Sequence, residues 1–224
     1  MKIRAVFVLF LSICSHFAIA QINQTIPEIN HLEATDRIWV SLVPSDSNKI
    51  TIEGELADKV EMVISGSSLR LKMKAGYLMK GNQARVIVYS PSVTQLVARK
   101  GAELYVEQEE LQGDSLNISS YEGAKIRAKI ASNAVNVVLA TGASVDLLGT
   151  CSSVIVNSTA GGSFFGKDLK AESAYVRLNA GGKAEVHATE SADVETRAGG
   201  VIDVYGKPTN TKQRKIAGGK INFR

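Results

Sequence analysis

Residues 160–182 read AGGSFFGKDLKAESAYVRLNAGG. The triplet Ala-Gly-Gly opens and closes this stretch and returns at 198–200 and 217–219, so its starts lie 20, 18 and 19 residues apart. Self-similarity at a period near twenty marks stacked repeat architectures. Reading outward from the first glycine of each copy recovers two more copies upstream, at Gly123 and Gly142. The segments are GAKIRA (123–128), GASVDL (142–147), GGSFFG (161–166), GGKAEV (181–186), GGVIDV (199–204) and GGKINF (218–223).

Ile126, Val145, Phe164, Ala184, Ile202 and Ile221 form one column of this alignment. Ala128, Leu147, Gly166, Val186, Val204 and Phe223 form a second, two residues on. Side chains two apart on a strand share a face, so both columns point inward. Between them Arg127, Asp146, Phe165, Glu185, Asp203 and Asn222 point outward, and five of the six are polar. A second strand precedes each glycine. Its inward positions are Val135, Val137 and Leu139, then Val154, Val156 and Ser158, then Ala174, Val176 and Leu178, then Ala192, Val194 and Thr196. Val138, Ile155, Tyr175 and Phe165 are apolar side chains that the alternation turns outward; if they are contiguous, a partner or another layer of the chain covers them, and at least part of the set is expected to be buried by the front half or by a second subunit.

Each period of about 19 residues therefore holds two short strands and two turns. One such coil cannot bury its apolar side alone, but stacked coils make a continuous core. The expected fold is all-β: a parallel β-solenoid of two-strand coils, preceded by a less regular β region. An antiparallel sandwich also yields short, evenly spaced strands, but it has no reason to place small residues at matching turn positions. Ser132, Cys151, Ala171 and Thr189, each ten residues before its glycine, make another small column.

The domain plan follows. Residues 1–20 read as a signal peptide: Lys2 and Arg4, an apolar run at 5–14, and a small-x-small site ending at Ala20. A lipoprotein signal ending at Cys14 is the rival, disfavoured by Ile13 just before it. Residues 21–100 are the irregular β region, with strands expected at 38–43, 49–53, 60–64, 69–74, 85–89 and 95–99; they continue the same sheets or form a leading subdomain. Residues 101–206 are the regular coils. Residues 207–224 are a basic loop, KPTNTKQRK (207–215), and a closing edge strand.

Charge and cysteine content narrow the function. Removing Lys2 and Arg4 from the 26 basic residues leaves 24 against 22 acidic ones, which is no nucleic-acid footprint. With Cys14 gone with the signal, Cys151 stands alone, so no internal disulfide is expected and the thiol reads as a small packing residue. The run Gly206 to Arg224 holds six basic residues and no acid, a solvated surface that would also suit polyanions.

Catalytic motifs are missing. His31 and His187 are the histidines beyond residue 20, and no Ser-His-Asp order, His-x-x-His pair or phosphate-binding loop occurs. No cofactor is expected. Two weak binding candidates stand out: the tip Tyr77, Leu78 and Met79, ringed by Lys74 and Lys80, which alternatively caps the core, and the outward aromatics Phe165 and Tyr175. Glu185 and Asp203, one coil apart in an outward column, are the weak candidate pair for a metal ion.

The combined pattern resembles the auto-transporter adhesin head domain family, named for a Gly-Ile-Asn motif, over roughly residues 29–224. The supporting stretches are RIWVSLVPSDSNKITIEG (37–54), ARVIVYSPSVTQLVARKGA (84–102), the glycine-rich coils, YGKP (205–208) and GGKIN (218–222). In this chain Lys220 separates Gly219 from Ile221 and Asn222. The resemblance implies a bacterial cell-envelope protein with a β-helical fold, and it carries over no binding residues. The resulting expectation is an exported, non-catalytic β-solenoid for adhesion or envelope assembly. It would sit in the periplasm, on the outer-membrane surface or outside the cell, peripheral to the membrane at most. Its partners would be a glycan or an envelope protein, with homo-oligomers forming through sheet edges. The alternatives are a β-helix carbohydrate-active enzyme and a purely structural oligomerising module.

Overall fold

The structure is a computed structural model and describes residues 21–224. The expected signal peptide therefore lies outside the described residues. Seventeen strands join into one wrapped sheet. The long strands set the pattern: β11 (Lys125–Ala140), β12 (Ser144–Thr159), β13 (Ser163–Asn179) and β14 (Lys183–Arg197) each bend midway. In β11 the buried positions run 126, 128, 130 and then 135, 137, 139, so the inward phase flips across the bend. Each long strand thus supplies both faces of one coil, and the core lies between the faces.

The pairing is parallel and in register. Ile126, Val145, Phe164, Ala184, Ile202 and Ile221 sit on successive rungs, as their alternation requires. All six are buried, and each fully buried aliphatic side chain contributes roughly 1.5–3 kcal/mol. Unequal spacing of the Ala-Gly-Gly copies is absorbed by register shifts, at Asp146/Gly149 and again between Gly166 and Ser173. One consequence corrects the small column: Ala171 pairs with Ala188, not Thr189.

The front half continues the same solenoid, but out of chain order. β2 (His31–Ala34) and β3 (Trp39–Pro44) form one coil. On one side of it stack β8 (Gln95–Ala98) and β9 (Glu103–Val106), which lead through β10 (Leu111–Tyr121) and β11 into the regular coils. On the other side stack β6 (Ser68–Met73) and β7 (Arg85–Ser90), also parallel. Antiparallel strands finish this end: β5 (Val60–Ser65) on β6, β4 (Lys49–Glu53) on β7 and β1 (Gln21–Thr25) on β4. Ile26, Ile29, Ala57 and Val60 belong to the same buried cluster as the coils, so the detour covers the open end of the core.

At the other end are β15 (Val201–Tyr205), β16 (Asn210–Ile216) and β17 (Lys220–Phe223). The basic stretch expected as a loop is thus corrected: most of it is β16, parallel to Ser191–Arg197. Backbone groups of the preceding rung offer hydrogen bonds whatever side chains follow. Gln213 occupies the inward column of Val137, Val156, Val176 and Val194, but no rung lies beyond it and it is exposed.

The corners explain the triplet. Each turn places at least two successive residues at positive φ, and the corner at Ala180 (58°), Gly181 (81°) and Gly182 (98°) has three. The alanine is itself left-handed, and the first glycine is needed for its conformation, since a side chain there meets open space. The second glycine is needed for room as well as for its φ of 98°: a Cβ on Gly182 would stand 2.3 Å from the Gly162 carbonyl oxygen one rung below.

Candidate functional site

The residues singled out in the sequence scatter over the molecule. Val138, Ile155 and Tyr175 are exposed neighbours on the face formed by the second halves of the long strands, Ile155 and Tyr175 on adjacent rungs. Phe165, also exposed, lies on the opposite face, so the four do not make one surface, and the expected burial of part of the set is corrected: the front half stacks along the coils and covers none of them. The Arg177 guanidinium sits 3.7 Å from the centre of the Tyr175 ring and pairs with Asp193 at 3.0 Å. Tyr77 is partly buried against the core, with the Lys59 ammonium 5.4 Å from its ring, while Leu78 and Met79 stay exposed at the tip.

Glu185 and Asp203 are rung neighbours, as their spacing indicates. Each already has a donor of its own. Lys183 Nζ donates to Glu185 Oε1 at 2.6 Å. Asn222 Nδ2 and Arg224 Nε donate to Asp203 Oδ1 at 2.9 and 3.1 Å. Burial pushes the Asp203 carboxyl up, but these donors outweigh it and hold the group below its ordinary range. No group of three or more His, Cys, Asp or Glu placed to hold a metal ion occurs among the described residues.

A different set of side chains converges. A groove of about 730 Å3 runs beside the first coil, lined by Arg37, Trp39, Glu53, Asn82, Gln83, Arg85 and Glu103 with Gly54, Ala84 and Gly101. It exists because the coils stack out of order: β7 and β9 flank β3, placing Arg85, Trp39 and Glu103 on adjacent rungs. The Arg85 guanidinium lies 3.8 Å from the centre of the Trp39 ring system. Tyr105 stacks on Trp39 from the β9 side, with centroids 5.2 Å apart and planes 28° apart. Tyr105 Oη donates to Glu103 Oε2 at 2.7 Å, and Lys125 Nζ donates to Glu103 Oε1 at 2.9 Å. These bonds, Tyr105 first, hold the Glu103 carboxyl below its ordinary range. Burial, aided by the Glu103 carboxylate, pushes the Tyr105 phenol up to about 12. Glu103 is therefore a carboxylate and Tyr105 a phenol at neutral pH.

The sequence reading missed this groove. Its members lie at 37–39, 53–54, 82–85 and 101–103, joined by a stacking order that the repeat period does not encode. The one available signal was Trp39, the single tryptophan of the chain, set on the outward phase of a strand.

The class these features define is structural: a capped, two-faced parallel β-solenoid with a polar groove beside its first coil. The chain belongs to the family described as "Putative auto-transporter adhesin, head GIN domain", whose model matches residues 29–208. Three solved structures share the fold. A putative adhesin from Bacteroides fragilis superposes with a TM-score of 0.81 at 20% identity, covering 93% of this chain and 98% of that one. A putative adhesin from Parabacteroides distasonis gives 0.69 at 17% identity, covering 92% and 97%. A protein from the same organism described as a putative lipid binding protein gives 0.67 at 15% identity, covering 92% and 96%. No protein of curated function matches the chain.

Proposed function

We propose that this protein is an exported, non-catalytic, adhesin-like module of the cell envelope that binds a glycan or an envelope protein through its outer faces. One observation carries the reading. In a chain of an adhesin family, the groove's Glu103 and the outward acid pair are each engaged by a partner. Glu103 is held by Tyr105 and Lys125, Glu185 by Lys183, and Asp203 by Asn222 and Arg224. Such groups orient and recognise; they do not shuttle protons. The basic start and apolar run of residues 1–20 support export, with function at the envelope or outside the cell. The test is binding of the purified protein to glycan arrays, matrix proteins and envelope components of its own cell. Saturable binding to one of them is expected; none at all overturns the reading.

A second reading rests on the sheet edges. β5 leaves Val63 and Ile64 exposed at one end, and β16 and β17 leave unpaired backbone at the other. These edges suit a module that assembles with its own copies. Light scattering reporting a monomer at high concentration overturns it.

A further inference from the structure

We infer that the groove beside Trp39 is the ligand site and that it takes an acidic saccharide, one bearing carboxylates as in uronic or sialic acids. This rests on the adhesin-like reading and names the ligand class for it. Three features of the groove point the same way.

The first is unspent cationic hydrogen bonding. Among the described residues the Arg37 side chain forms no ion pair or hydrogen bond, and Arg85 engages the Trp39 ring without pairing to a carboxylate. Guanidinium groups bind carboxylates through paired, charge-assisted hydrogen bonds. The second is charge balance. Of the two lining carboxylates, Glu103 is neutralised by Lys125 and saturated by Tyr105, which leaves Glu53, held by the Gln21 amide at 3.2 Å. Two guanidiniums against one uncompensated carboxylate favour an anion. The third is the remaining lining. Asn82 and Gln83 bring exposed amides that both donate and accept, Glu53 adds an acceptor, and Trp39, held between Arg85 and Tyr105, brings its ring edge. Donors and acceptors spaced around the groove suit a ring carrying several hydroxyls. The volume suits one to a few sugar units.

Two glycines allow close packing around the floor. Gly54 lies against the Gln83 carbonyl oxygen, where a Cβ would stand 2.4 Å away, and Gly101 lies under the Arg37 side chain. The cleft is therefore part of how the cap packs onto the first coil.

Trp39 is the only tryptophan, so intrinsic fluorescence reads this groove directly. The experiment titrates the protein with trigalacturonate and its methyl ester, with sialyllactose and lactose, with inorganic phosphate and with a triglutamate peptide. At least one acidic sugar is expected to shift the Trp39 emission saturably, with its neutral counterpart about tenfold weaker. Arg37→Gln should weaken the acidic sugar about tenfold while leaving circular dichroism and the urea midpoint unchanged, and Arg85→Gln should weaken it about as much with a small drop in the urea midpoint from the lost contact with Trp39. Arg37 is exposed, so its replacement tests the site without loading the fold.

Equal binding of neutral and acidic sugars overturns the acidic class. Phosphate or triglutamate binding as well as the sugars overturns the saccharide. No emission change with any probe up to about 10 mM overturns the site. Glycan-array binding that survives both arginine replacements also overturns the site, yet leaves the adhesin-like reading standing; absence of all array and protein binding sinks that reading itself.

Discussion

Phe164 occupies the space that Gly166 leaves empty: a Cβ built on Gly166 would stand 2.4 Å from Phe164 Cε1 and 2.6 Å from its Cζ. The two residues are two apart on one strand and both point inward. Phe164 is fully buried, the one aromatic in a column otherwise made of Ile, Val and Ala. Gly166 has an ordinary strand conformation, so its role is volume and not backbone freedom.

Gly166→Ala should therefore destabilise the fold by about 1–3 kcal/mol through overpacking. Phe164→Leu should cost a similar amount through the cavity it leaves. The double variant should recover part of the loss, because each change relieves the other. Urea unfolding of the four proteins checks the coupling; strictly additive losses would refute the complementarity.

The corners predict opposite signs for two neighbouring substitutions. Ala180 is exposed at φ 58°, a conformation that costs an alanine roughly 1–2 kcal/mol and an asparagine less. Ala180→Asn should stabilise by about 0.5 kcal/mol. Gly182→Ala should destabilise by several times that amount, because its Cβ would meet the Gly162 carbonyl oxygen as well as adopt φ 98°. Urea midpoints of the two variants decide; a stabilising Gly182→Ala would show that the rungs can spread apart.

The solenoid was legible because register makes inward residues recur. The column from Ile126 to Ile221 could be aligned on glycines alone, and all six residues share a ladder. Polar residues in inward positions were harder to read. Ser120 and Ser158 are fully buried and donate to the carbonyl oxygens of Ala124 and Gly162, and Thr196 does the same to Gly199, so these hydroxyls brace corners. Two things were not legible. β16 has no hydrophobic phase, since its stability comes from backbone pairing at an end rung. The groove depends on β2–β3 lying between β6–β7 and β8–β9, and a detour in chain order leaves no mark on local periodicity.

Cys151 should be chemically quiet in the folded protein. Burial, with the nearby Glu172 charge, pushes its thiol up to about 11. At pH 8 the reactive thiolate is then about one molecule in a thousand. Alkylation followed by peptide mass spectrometry should label residue 151 slowly in buffer and rapidly in urea. Labelling in buffer as fast as in urea would show that the buried thiol is open to reagents in the fold.

Calcium should not bind the outward acid pair. Glu185 and Asp203 are adjacent, but Lys183, Asn222 and Arg224 already engage one oxygen of each and bring positive charge to the pair, which opposes a cation. Calorimetric titration with calcium is expected to show no binding heat. Saturable heat that disappears in Asp203→Asn would restore the pair as a metal site.

Asp203 should make the last coil sensitive to acid. Its folded-state carboxyl is held below the ordinary value of 3.8 by Asn222 and Arg224, which outweigh the opposing effect of burial. A depressed folded pKa means that the unfolded chain takes up the proton first as pH falls. The stabilisation is therefore complete above about pH 4 to 5 and is lost as pH drops through the folded pKa. Arg224 and Asn222 belong to the terminal rung, so protonation should free β17 before the inner coils. Asp203→Asn should lower stability at pH 7 by about 1–3 kcal/mol and flatten the decline between pH 5 and pH 3. Urea unfolding across that range, with hydrogen exchange at residues 220–223, reads both effects. A decline equally steep in the variant would place the acid sensitivity elsewhere in the stack.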